Sequence, residues 1–191
     1  MVDKLRIAMI GEGPTSMIGP VHRVAIRLTN EYDLVAGCFS SKPEKRIEIA
    51  KALDMDPEVV YPDWQSLLRD ASKLKLDAVT ILTLNDSHVE IATKFAEAGI
   101  HIICEKPLSN DWNGVKELQE VIKHKNLTFT LTHPYSGYPT ARLLHREVAE
   151  GKFGKIKMVD VEYIQGWLRE LIETDPKNAF AVWREDPKVG G

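Results

Sequence analysis

Cysteine is scarce in this chain. Cys38 and Cys104 are the only two among 191 residues, and neither has the paired spacing or the neighbouring histidines of a metal motif. A disulfide framework and a structural zinc site are excluded on that ground, so no metal is expected and both thiols read as reduced groups near strand ends. Long hydrophobic runs are absent as well. None approaches the roughly 20 residues that span a bilayer, and the charged start Met1-Val2-Asp3-Lys4 lacks the apolar stretch of a signal peptide. A cytoplasmic protein without membrane contact is the expectation. Charge of one sign is concentrated nowhere: 25 Lys and Arg against 28 Asp and Glu leave a formal net charge of -3. That removes the electrostatic footprint of a nucleic-acid partner. No internal repeat or low-complexity linker interrupts the chain.

What is present is a core and a rhythm. Hydrophobic residues make up 43% of the sequence, enough to bury a substantial interior, and the length suits one large domain or one domain and part of another. Short apolar runs rich in β-branched residues alternate with amphipathic stretches, the pattern of βαβ units on a parallel sheet. Six runs read as strands: Leu5 to Ile10, Leu34 to Phe39, Val59 to Tyr61, Ala78 to Leu82, His101 to Cys104 and Thr128 to Leu131. Helices are expected in every gap. Pro43 opens one, Asp63 and Ser87 can cap two more, and Gly99 ends the helix through Phe95 and Ala98. The fold class is α/β, a doubly wound parallel sheet of the Rossmann type.

The first strand runs into Gly11-Glu12-Gly13-Pro14-Thr15-Ser16-Met17-Ile18-Gly19, a glycine-rich turn leading to a helix. Such a turn allows close backbone approach to a pyrophosphate, and the helix N-terminus adds N–H groups and a positive dipole end. The spacing departs from G-x-G-x-x-G, since Ser16 takes the usual third glycine position and Gly19 comes three residues late. A longer phosphate loop follows, with Gly11, Gly13, Ser16, Ile18 and Gly19 as candidate cofactor contacts; the alternative is a ligand-free βα turn. At the far end of the chain's fifth run, Glu105-Lys106-Pro107 puts a lysine at a strand exit, where open α/β sheets bind ligands. Pro107 stops the strand from continuing. By itself the tripeptide equally suits a solvated turn.

Taken in order, these motifs resemble the glucose-fructose oxidoreductase / inositol dehydrogenase family, also called Gfo/Idh/MocA. Gly19-Pro20-Val21-His22-Arg23 closes the glycine loop, Thr83-Leu84-Asn85-Asp86-Ser87-His88 resembles the family's T-P-N-x-x-H, and Glu105-Lys106-Pro107 matches its E-K-P. His133-Pro134-Tyr135-Ser136-Gly137-Tyr138-Pro139, Gln165-Gly166-Trp167-Leu168 and Trp183-Arg184-Glu185-Asp186-Pro187 resemble a bacterial branch acting on sugar-like or polyol substrates.

The resemblance implies a dinucleotide-binding domain over residues 1–134, then the start of an α+β substrate and oligomerisation domain over residues 135–191, with a large, mostly antiparallel sheet. Lys155 to Gln165 reads as its first long strand. Relatives carry a D-x-x-x-H pair shortly after a glycine pair like Gly190-Gly191, so the chain reads as the N-terminal part of a longer, homo-oligomeric protein. The implied activity is hydride transfer between a nicotinamide cofactor and a secondary alcohol or ketone of a sugar or cyclitol. Lys106 would be catalytic, hydrogen-bonding the reacting oxygen. Thr83, Asn85, His88 and Glu105 would face the cofactor, although Asn85 also suits a turn, His88 a first-turn surface position, and Glu105 orienting the loop in place of binding ribose hydroxyls. His133 and Tyr135 are candidate substrate contacts, with packing between the domains as the competing reading, and so are Trp167 and Trp183, with core packing as theirs. The Lys106-Pro107 bond is expected to be cis. If the native chain ends at residue 191, the alternative is a non-catalytic dinucleotide-binding module.

Cofactor choice depends on the end of the second strand. NAD-preferring folds place an acidic residue there for the ribose hydroxyls. Here the positions are Ser40, Ser41 and Lys42, followed by Lys45. Small hydroxyl groups followed by a cation leave room and charge for a 2′-phosphate, so NADP(H) is the preferred cofactor and NAD(H) the possible one. The other interpretation is a solvated turn with Lys42 in water.

Overall fold

The computed structural model describes residues 3–11, 13, 17–40, 42–110, 112–166 and 188. Its layering is explained by β1 (Leu5–Ile10). Successive side chains of a strand point to opposite faces, yet Ile7, Ala8, Met9 and Ile10 are all buried. Only a strand covered on both faces can bury such a run. On one face Ala8 and Ile10 join Val79, Ile81, Ile102 and Cys104 against Ile91, Ala92, Phe95 and Ala96. On the other, Ile7 and Met9 join Ala78 against Ile26.

The remaining strands are β2 (Tyr32–Cys38), β3 (Ala78–Ile81), β4 (His101–Glu105) and β5 (Phe129–Thr132). They form a five-stranded sheet in the order β2-β1-β3-β4-β5, and every neighbouring pair is parallel. Helices α1 (Gly19–Thr29), α2 (Pro43–Leu53), α3 (Trp64–Arg69), α4 (Ala71–Leu74), α5 (His88–Glu97) and α6 (Val115–His124) fill the gaps. This is the doubly wound Rossmann-type architecture, and the strand order reverses at β1, between β2 and β3. Ligands of open α/β sheets bind at the carboxyl ends beside that reversal.

One expected strand is missing. Val59 to Tyr61 makes a single parallel bridge, Gly37 to Val60, instead of a sixth strand. Pro57 starts a short 3-10 turn, Pro57–Val59, held by Asp56, whose side chain accepts from the Glu58 N–H at 2.9 Å. Pro62 follows Tyr61 and has no N–H to give to a ladder, so two prolines leave room for one bridge. It still lies beside β2, the outer place of the six-strand order.

Three of the four expected helix boundaries are made as read, and one is not. Pro43 opens α2, and the Asp63 side chain accepts from the Ser66 N–H at 2.7 Å at the start of α3. Gly99, at φ +84°, closes α5 with Gly99 N–H bonded to the Ala96 carbonyl at 2.9 Å and Ile100 N–H to that of Phe95 at 3.1 Å. That pair of bonds is a Schellman motif. Ser87 makes no side-chain cap on α5. Its hydroxyl turns back instead, 2.7 Å from Thr83 Oγ1 and 2.8 Å from the Leu84 carbonyl.

A second compact unit begins at His133. It holds a 3-10 turn, Pro134–Gly137, and α7 (Pro139–Ala149). Residues 155–165 form no strand. Their apolar side chains, Ile156, Met158, Val159, Val161, Tyr163 and Ile164, are exposed, and no neighbouring strand among the described residues pairs with them. A ladder needs two partners. No helix among the described residues is long and apolar enough to cross a membrane.

Candidate active site

The turn after β1 requires glycine at Gly11. Its φ is +88°, and a Cβ built there would lie 2.6 Å from the Leu82 carbonyl oxygen. The backbone of the glycine turn therefore passes directly against the end of β3. Forcing a side chain into a positive-φ site costs about 1–3 kcal/mol before any overlap is counted. Gly11→Ala should lower unfolding stability by about 2 kcal/mol or more in a denaturant titration; an unchanged midpoint would show that the turn relaxes freely. Gly13 and Ile18 continue the same region, and Gly19 is buried as the first residue of α1. Ser16 lies outside the described residues.

Beside this turn is a cavity of about 410 Å³ lined by Gly13, Phe39, Ser40, Lys45, Glu48, Ile49 and Ala52. Phe39, Ile49 and Ala52 supply apolar walls. Ser40 and Lys45 supply a hydroxyl and a cation, with the Lys42 N–H donating to Ser40 Oγ at 3.2 Å, and Glu48 adds a carboxylate. Ser41 lies outside the described residues. Lys42 itself is exposed and does not line this cavity.

At the end of β3, Asn85 is buried in a 3-10 turn, Asn85–Ser87. His88, the first residue of α5, is only 1% exposed, so it is no surface residue. Its Nδ1 lies 2.8 Å from the Pro107 carbonyl and its Nε2 3.0 Å from the Thr83 carbonyl. Carbonyls only accept and a neutral ring carries one N–H, so the ring donates to one of the two carbonyls while it packs between two loops: the one after β3 and the one that follows Lys106.

Glu105, Lys106 and Pro107 leave the end of β4, and the Lys106–Pro107 bond is cis. Lys106 is exposed, with its side chain available at the strand exit. Glu105 is half-buried and committed to protein partners. Its Oε1 accepts from Thr132 Oγ1 at 2.6 Å and from His22 Nε2 at 2.9 Å, and its Oε2 accepts from the Lys106 N–H at 3.2 Å. Burial raises its pKa, but the bonds from His22, Thr132 and Lys106 outweigh burial and hold the carboxyl below its ordinary value. Just inside, burial and then the Glu105 charge push the Cys104 thiol up to about 12, which leaves it unreactive.

The carboxyl ends of β1, β3 and β4 thus bring Gly11, Thr83, Asn85, His88, Glu105 and Lys106 to one edge of the sheet. His133 and Tyr135 belong to the second unit, where the Tyr163 hydroxyl donates to that of Tyr135 at 2.6 Å. Trp167 and Trp183 lie outside the described residues. Among the described residues no group of His, Cys, Asp or Glu is arranged to hold a metal.

Residues 5–133 match the model of an oxidoreductase family with an NAD-binding Rossmann fold, Gfo/Idh/MocA. The chain belongs to the Gfo/Idh/MocA oxidoreductase family. It is 32% identical over 190 residues to an uncharacterised oxidoreductase, YfiI, of Bacillus subtilis, covering 98% of this chain and 48% of that protein. To levoglucosan dehydrogenase of Pseudarthrobacter phenanthrenivorans it is 31% identical, covering 100% of this chain and 47% of that enzyme. Among solved structures, an inositol dehydrogenase homologue complexed with NAD+ from Azotobacter vinelandii shares 31% identity and a TM-score of 0.91, over 100% of this chain and 49% of that one. The chain spans about half the length of these relatives. The amino-acid pattern assigned no role to His22, which lies in the Gly19 to Arg23 motif, or to Thr80 and Thr132, which lie outside the motifs.

Proposed function

We propose that the protein is a nicotinamide-dependent oxidoreductase acting on a CH–OH group of a sugar or cyclitol, with Lys106 as its catalytic cation. The observation that carries this reading is Lys106 standing exposed at the exit of β4, on the same sheet edge as the Gly11 turn. The dinucleotide fits what surrounds that turn. Gly11 lets the backbone come within contact of β3, Phe39 and Ile49 offer an apolar wall for an adenine ring, and Ser40 and Lys45 offer groups for the adjoining ribose. A bound nicotinamide supplies the hydride acceptor or donor.

The lysine's part is electrostatic. Its ammonium would donate to the substrate oxygen and stabilise the negative charge left there when the hydroxyl proton passes to a general base, as the carbinol hydride goes to the bound nicotinamide. Glu105, tied to His22 and Thr132, orients the backbone beneath Lys106 and does not transfer protons. Levoglucosan and inositol, named for two relatives, set the substrate class to be tried first. Incubating the complete natural protein with oxidised dinucleotide and a panel of sugars and cyclitols should produce the absorbance of reduced nicotinamide. Tight dinucleotide binding with no turnover across that panel would favour a non-catalytic binding module.

For the finer choice we propose NADP(H) over NAD(H). Ser40 and Lys45 line the pocket where a 2′-phosphate would fall, with Ser41 and Lys42 beside them in sequence, while Glu48 is the one lining group that opposes that charge. Titrating the protein with both dinucleotides should show tighter binding of NADP(H), and Ser40→Asp should reverse the order. Tighter NAD(H) binding by the unmodified protein, in line with the NAD+ complex of the Azotobacter homologue, would overturn the assignment.

A further inference from the structure

His22 has the ordinary position of a helix residue, the fourth of α1, yet it does not end in solvent. Its side chain is 13% exposed, as is that of Glu105. Because a carboxylate can only accept, the 2.9 Å contact between His22 Nε2 and Glu105 Oε1 places the ring proton on Nε2. In a neutral ring Nδ1 is then the acceptor, and Thr80 Oγ1 stands 3.2 Å from it with a hydroxyl proton to give. Thr80 is fully buried in the middle of the sheet. On the far side of the carboxylate, Thr132 donates at 2.6 Å to the same oxygen.

The result is one polar chain, Thr80 to His22 to Glu105 from Thr132, linking β3, α1, β4 and β5. Every donor in it has an acceptor with the neutral Nε2–H ring, and no buried side-chain nitrogen or oxygen among the described residues lacks a partner. Such satisfied networks rigidify what they connect. What this one connects is specific. Glu105 Oε2 accepts from the Lys106 N–H at 3.2 Å, so the carboxylate that His22 grips also grips the backbone that carries the lysine.

We propose that His22 is a positioning residue for the reaction: its imidazole fixes the Glu105 carboxylate, which fixes the backbone from which Lys106 reaches the substrate. The same helix begins at the glycine loop, so the dinucleotide-binding turn and the catalytic lysine share one mechanical support. The inference rests on the catalytic reading of Lys106. Only a group donating from the Nε2 position can replace His22 here. A glutamine, with its amide nitrogen at similar reach, meets that requirement; an alanine does not.

The test uses the complete natural protein and five variants: His22→Ala, His22→Gln, Lys106→Ala, the His22→Ala/Lys106→Ala double variant and Glu105→Ala. His22→Ala should lower kcat by up to about 10²-fold, the scale of a misplaced catalytic group, with dinucleotide Kd nearly unchanged. His22→Gln should recover most of the loss. In the Lys106→Ala background, His22→Ala should cost almost nothing more, because a residue acting through the lysine has no lysine left to position. Apart from activity, NMR of nitrogen-labelled histidine should show the Nε2–H tautomer for His22 with a slowly exchanging ring proton, lost in Glu105→Ala.

If Lys106→Ala lowers kcat but His22→Ala does not, the positioning role is wrong and the lysine assignment stands. If Lys106→Ala itself is silent, the catalytic reading fails first. Additive losses in the double variant, or a His22→Ala effect confined to dinucleotide Kd, would also overturn the proposal.

Discussion

Lys106→Ala should cut turnover by about 10²-fold or more while dinucleotide affinity stays nearly unchanged. The split between the two parameters follows from where the lysine stands. It projects from the exit of β4, whereas the pocket formed by Gly13, Phe39, Ser40 and Lys45 lies past the ends of β1 and β2. A cation whose work is on the charge of the reacting oxygen makes its interaction in the transition state, so its loss appears in kcat. Arginine is no substitute, because a planar guanidinium of different reach cannot place a single point donor at the same spot. Steady-state kinetics together with a direct binding titration check this. Weakened dinucleotide binding with unaltered turnover would make Lys106 a cofactor residue.

The second large effect is expected at His88. Its two ring nitrogens stand against the Pro107 and Thr83 carbonyls at 2.8 and 3.0 Å, inside a site that is 1% exposed. Leucine fills much of the same volume and donates nothing. A carbonyl that loses its donor in so shielded a place costs about 1–3 kcal/mol, so His88→Leu should lose about 1–3 kcal/mol of unfolding stability and loosen the loop behind Lys106. His88→Asn, which keeps a donor, should lose less. Denaturant unfolding of both variants gives the answer. Undiminished stability with impaired dinucleotide binding would return His88 to a direct cofactor contact.

The sequence carried the frame of this fold clearly because burial on both faces demands continuous apolar runs. The runs at Ile7 to Ile10 and Ala78 to Ile81 could belong only to central parallel strands. Helix punctuation was equally readable at Pro43, Asp63 and Gly99. The Val59 to Tyr61 run misled, since its composition suits a strand while the flanking Pro57 and Pro62 limit it to one bridge. Ser87 misled for a different reason: its hydroxyl has a competing local partner in Thr83.

The network behind Lys106 was harder to see, yet its signal was present. Gly19, His22, Arg23 and Ile26 fall at i, i+3, i+4 and i+7, the spacing of the face that α1 turns to the sheet. His88, Ile91, Ala92 and Phe95 repeat that pattern in α5. A histidine on an inward stripe must find partners. Which partners they are depends on strand order, and that is a property of the folded sheet: Thr80, Glu105 and Thr132 lie on neighbouring strands but are far apart along the chain.

Hydride transfer is the central claim, and isotope tracing tests it most directly. A sugar or cyclitol from the panel, deuterated at the carbinol carbon, is incubated with the complete natural protein and oxidised dinucleotide. The reduced dinucleotide is then isolated and its mass determined. The account predicts that the deuterium appears on the nicotinamide ring. Deuterium released to water while the dinucleotide stays unlabelled, or no reduced dinucleotide from any member of the panel, would contradict it.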